Sequence, residues 1–100
     1  MTDPDPEFDA VHPSGHVVFR SSRGGYLHSV GLAEPAMDSD AETLARAVML
    51  AAEVSYLRAL VRVREDMVED GHTPSADVPA RDDLEAAVEA LLRHRLRRES

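Results

Sequence analysis

Residues 39–71 read SDAETLARAVMLAAEVSYLRALVRVREDMVEDG, and this stretch decides the fold. Ser39 and Glu42 stand at the spacing of a capping box, and Gly71 stands where a left-handed C-cap belongs. No Pro or Gly lies between them, so the spacing predicts one unbroken helix over 39–70. Its apolar residues fall on two faces. Ala45, Met49, Ala52, Tyr56, Ala59 and Val63 recur at alternating steps of four and three. Ala47, Leu50, Val54, Leu57, Val61 and Val68 form a second stripe on nearly the opposite side. A surface helix needs one apolar stripe facing its core. Two stripes need two covers, and a second molecule is the simplest source of one.

Composition limits what the remainder can supply. One hundred residues make one small domain, near the size at which a single core is only modestly stabilising. Hydrophobic residues are 43% of the chain, but two Phe, two Tyr and no Trp leave the core thin. The absence of Cys excludes disulfides, thiolate metal sites and Cys nucleophiles together. No apolar run approaches the roughly 18 residues of a membrane span. The opening MTDPDPEFD is acidic and Pro-rich, unlike the basic start of a secretory signal peptide, so a cytoplasmic location is expected. All eleven basic residues are Arg, with no Lys, Asn or Gln, a bias that suits a GC-rich genome such as an actinobacterium's. A net charge of -8 runs against sequence-independent DNA binding, which needs a basic surface.

Residues 1–9 read as a disordered acidic tail, and 10–98 as a single α+β domain. Strand patterns fill 10–32. His16–Ser21 and Tyr26–Leu32 flank Ser22-Arg-Gly-Gly25. A two-residue turn at Gly24-Gly25 sets Val17 opposite Leu32 and Phe19 opposite Val30, which gathers the apolar residues on one face. Shifting the turn to Arg23-Gly24 splits that set. Phe8–Val11 is a candidate third strand at the edge. Residues 71–80 are loop chemistry, and a shorter helix is expected over 81–97. Acidic residues open it, Arg93, His94, Arg95, Arg97 and Arg98 close it, and Leu84, Val88, Leu91, Leu92 and Leu96 form its stripe.

No constellation carries catalysis. His12, His16 and His28 lack metal-ligand spacing, and Ser21, Ser22 and Ser29 lack a nucleophile elbow. Ser22–Gly25 has neither the Lys-Ser/Thr pair of a phosphate loop nor a helix after it. No cofactor and no enzyme activity are expected. Arg93, Arg95, Arg97 and Arg98 are the candidate contact for phosphate or an acidic partner, against the plainer reading of a solvated helix end. Arg58, Arg62 and Arg64 alternate with Glu65, Asp66 and Glu69, as intrahelical pairs such as Arg62 with Asp66 require. The expected interface for a dimer or partner is Ala45, Met49, Ala52, Tyr56, Ala59 and Val63 together with Leu50, Val54, Leu57 and Val61.

The string Phe8, three residues, His12-Pro13, Val17-x-Phe19, Gly25-x-Leu27-x-x-Val30-x-Leu32, Leu44-Ala45-x-x-Val48 resembles the type VII secretion-associated proteins EspD and EspH of mycobacteria. The likeness continues at Pro79-Ala-Arg-Asp-Asp-Leu-Glu-Ala-Ala87 and covers about Phe8 to Leu92. The hairpin before an acidic helix start is also similar to the YbaB/EbfC nucleoid-associated family. These resemblances imply a YbaB-like fold: a small antiparallel sheet, one long helix and a shorter C-terminal helix, assembled as a homodimer. The first implies a cytoplasmic accessory or chaperone-like factor whose protein partner is a type VII secretion component or substrate. The second implies a DNA-binding protein, the alternative that the acidic balance places behind it. Tyr26 and Tyr56 are followed at the fourth place by Val30 and Leu60, so the tail motif of exported type VII substrates is missing.

Overall fold

The structure is a computed structural model and describes residues 6–22, 27–76 and 78–96. It is α+β. Strands β1 (Ala10–Val11), β2 (Val17–Ser21) and β3 (Leu27–Leu32) form an antiparallel sheet in the order β1-β2-β3. Helix α1 (Ala41–Glu69) and the shorter α2 (Arg81–Arg93) follow. Two short 3-10 turns, Pro6–Phe8 and Glu34–Asp38, precede the sheet and α1.

The expected register holds through the middle of the hairpin: Val17 pairs with Leu32 and Phe19 with Val30. Beyond Arg20 it slips, because Ser21 pairs with Leu27 while Arg20 pairs with Ser29. His28 is the extra residue of that bulge, which a simple two-residue turn does not produce. The turn itself, Gly24-Gly25, lies outside the described residues. The third strand forms at Ala10–Val11, opposite Phe19 and Val18. The disordered tail expected over 1–9 does not include Phe8 and Asp9, since Phe8 is buried and Asp9 accepts the Ser21 N–H at 2.8 Å. Residues 1–5 lie outside the described ones.

Helix α1 starts one residue later than the spacing of Ser39 and Glu42 suggests. Its N-cap is Asp40, whose carboxylate accepts the Thr43 N–H at 2.8 Å and the Thr43 hydroxyl at 2.9 Å. At the other end, Gly71 takes φ +84°. The His72 N–H reaches Met67 O at 2.8 Å and the Gly71 N–H reaches Val68 O at 3.0 Å. This paired capping is what a glycine without a Cβ permits. Helix α2 stops at Arg93 rather than continuing to 97: His94 is extended, with φ -74° and ψ 138°, and the chain turns back so that Leu96 is buried.

The core runs along one side of α1. Leu50, Ala51 and Val54 pack with Ala10 and Phe19 of the sheet and with Ala87 and Leu91 of α2. A second cluster joins Ala47 to Val17, Ala36 and Leu96. Burying one Leu or Val side chain contributes about 1.5–3 kcal/mol, so this face holds much of the fold's stability. Of the two covers that the stripes of α1 require, the chain itself supplies one. The sheet and α2 of the same chain cover the second stripe from Ala47 to Val61, with Leu57 half-buried, while Val68 at its end is exposed. The molecule measures 51 × 33 × 17 Å. A thickness of 17 Å fits two layers packed about 10 Å apart, and among the described residues no third layer lies over the opposite side of α1.

Candidate functional site

Of the expected interface residues, Leu50, Val54 and Val61 are buried inside the chain and Leu57 is half-buried, so they belong to the core. Ala59 is also covered, at 4% exposure. The first stripe otherwise faces outward. Met49 is 65% exposed, Tyr56 47% and Val63 50%, with Ala45 exposed and Ala52 half-buried between them. These positions are seven apart in two series, Ala45-Ala52-Ala59 and Met49-Tyr56-Val63, which is the spacing of a coiled-coil seam. Over the 18 residues from Ala45 to Val63 the seam runs about 27 Å. It contains small residues in one series and large ones in the other, with no charge in either.

The arginines are engaged elsewhere. Arg58 donates to Asp9 O, tying the start of β1 to the helix. Arg62 pairs with Glu7 and, at 3.3 Å, with Asp66 as its spacing predicts. Arg64 donates to Val78 O at 3.0 Å, holding the loop between the helices. Arg81 pairs with Glu65 and Arg93 with Glu89. Within the proposed phosphate contact, Arg93 therefore already carries a carboxylate, Arg95 is exposed, and Arg97 and Arg98 lie outside the described residues.

One pair escaped the sequence reading. His12, just after β1, is 1% exposed, and its Nε2 lies 3.0 Å from Nδ1 of His94. The Ser14 N–H donates to His12 Nδ1 at 3.1 Å, which assigns the proton of the neutral ring to Nε2. Burial, reinforced by the nearby His94 ring, lowers the His12 pKa, with a hydrogen bond to the His94 backbone acting the other way. Burial and then the Arg46 guanidinium lower that of His94. Eighty-two residues separate the two rings, so no local spacing announces them. Among the described residues no three His, Asp, Glu or Cys side chains converge in a way that could hold a metal ion. No described helix is long and apolar enough to cross a membrane.

A family described as "Protein of unknown function (DUF2694)" matches residues 1–97. The chain is 62% identical over 98 residues to the uncharacterised protein Rv0028 of Mycobacterium tuberculosis, covering 98% of this chain and 97% of the relative. The uncharacterised protein Mb0029 of Mycobacterium bovis is similar to the same extent. No solved structure matches.

Proposed function

We propose that this chain, which belongs to the DUF2694 family, is a non-enzymatic binding protein that pairs with a second copy through the outer face of α1. The observation that carries the reading is the uncharged seam of Ala45, Met49, Tyr56 and Val63, with half-buried Ala52 between them, which the other described elements leave exposed. Exposed apolar residues in isolation need no explanation, but a continuous seam of them marks an interaction surface. The seam is complementary to itself when two helices run antiparallel. Tyr56 then faces Ala52 and Val63 faces Ala45, so that each of these large side chains meets a small one, while Ala59 stays buried within its own chain. A two-fold axis generates this pairing from one patch.

The dimer would offer two sheets and two α2 helices as docking edges for a partner protein. The resemblance to EspD and EspH supports a type VII secretion component or substrate as that partner, with the chain acting as a cytoplasmic accessory. Co-purification on the tagged chain tests this. Recovery of an identified secretion component, lost when Tyr56 is replaced by Glu, supports it. Recovery of the chain's own copies alone contradicts it. The nucleoid-associated reading ranks second, because Arg58, Arg62, Arg64, Arg81 and Arg93 are all engaged by oxygen acceptors within the chain. A mobility-shift series against salt separates the two: DNA binding through phosphates weakens steeply as salt rises.

A further inference from the structure

We propose that the His12–His94 contact is an acid-released latch, in which a proton on either ring frees the segment after α2 and withdraws Leu96 from its pocket. This inference is independent of how, or whether, α1 pairs with a partner.

With the ring proton of His12 on Nε2, both rings are neutral in this arrangement. His12 Nδ1 accepts the Ser14 N–H, and Ser14 Oγ lies 2.8 Å from the same atom. The ring proton therefore sits on Nε2 and points at His94 Nδ1, which must supply a lone pair. A further proton on His94 can bind only at Nδ1, and it would set N–H against N–H across 3.0 Å. A further proton on His12 must enter at Nδ1, displacing the Ser14 N–H and turning toward Ser14 Oγ, and it would leave a charge in a site 1% exposed. The surrounding charges do not welcome one. His16, at the start of β2, and His94 both oppose a positive charge on His12, and Arg46 of α1 opposes one on His94. Arg93 and Arg95 flank His94 in sequence, while Asp40 and Glu42 of α1 line the same groove. No carboxylate is among the influences that shift either ring.

The latch has something to release. Leu96 lies two residues beyond His94 and packs with Val17, Ala36 and Ala47. The His12–His94 bond closes the segment over that cluster, and α2 has already ended at Arg93. Opening would uncover an apolar slot beside the first turns of α1 and add positive charge to a segment already carrying Arg93 and Arg95.

The sign follows from linkage. Both rings have folded pKa values below the ordinary 6.5, so the open segment binds protons more readily than the closed one. The closed form is fully favoured above pH 6.5 and loses its advantage as pH falls below that value. Each histidine shifts the balance toward opening by about tenfold per pH unit until its folded pKa is passed.

Hydrogen exchange on the full chain, corrected for intrinsic rates, tests the latch at about pH 7.5 and about pH 5. The account expects protection at 94–96 to fall at least tenfold in acid while the middle of α1 stays protected. His94→Gln removes one of the two proton acceptors and should leave only the part of the acid response that His12 carries, and His94→Arg should leave the segment open at both pH values. Equal protection of the unaltered chain at both pH values would overturn the proposal, as would an undiminished acid response in His94→Gln. A readout needing no substitution is the NMR titration of the His12 and His94 rings beside the Leu96 methyls. One shared midpoint below the ordinary histidine value is expected, and separate midpoints for rings and methyls contradict the latch.

Discussion

The two long faces of α1 carry similar numbers of apolar residues and meet opposite fates. The face with Leu50, Val54 and Val61 is buried under the sheet and α2, whereas the face with Met49, Tyr56 and Val63 stands in solvent. Their compositions differ in a way that suits the difference. The covered side places Ala47 and Ala51 where strands and α2 approach closely, and its larger residues are branched aliphatics that fill a fixed core. The open side alternates alanines with Met, Tyr and Val, a pattern that another helix can interlock with. Apolar count alone does not decide which face a fold uses. The residues that meet each face decide it.

Substitutions that treat the faces unequally would sharpen or break this contrast. The largest effect is expected on the covered face, where Val54→Asp buries an unpaired charge and should cost more than about 4 kcal/mol. Leu50→Ala should cost about 2–5 kcal/mol, measured by urea unfolding. Comparable losses from Met49→Ala would mean that the two faces are equivalent in the folded chain. The helix end belongs to neither face, and removing its cap in Asp40→Ala should cost about 1 kcal/mol in the same assay. Ser55 is a flaw within the covered face, since its buried hydroxyl has no hydrogen-bond partner among the described residues. Ser55→Ala should therefore raise the unfolding midpoint, by up to about 1 kcal/mol, with no loss of helix by circular dichroism. Smallest of all, Tyr56→Glu on the open face should change the stability of the isolated fold by no more than about 0.5 kcal/mol.

Much of this contrast was legible in the sequence because it is periodic. The unbroken helix between Ser39 and Gly71 and the pairing of Phe19 with Val30 follow from local spacing, and the structure contains both. The two stripes follow too, except that Ala59 of the open one is buried and Val68 of the covered one is exposed. Which stripe would be covered was not legible, because that depends on where the sheet and α2 settle. The N-cap was misassigned by one residue: Ser39 and Asp40 are both capping residues, and the Thr43 hydroxyl favours Asp40 by giving it a second bond. The end of α2 was overshot because Leu96 continues the helical stripe in sequence yet is drawn into a different cluster. The His12–His94 pair was invisible for the same reason, being made by tertiary return of the chain and not by spacing.

The central claim is that the open face of α1 pairs with its own copy, and its molar mass in solution tests that most directly. Light scattering behind a sizing column, at tens of micromolar, should give twice the 11.0 kDa of one chain for the unaltered protein and a single chain mass for Tyr56→Glu. A single chain mass for both would contradict the account.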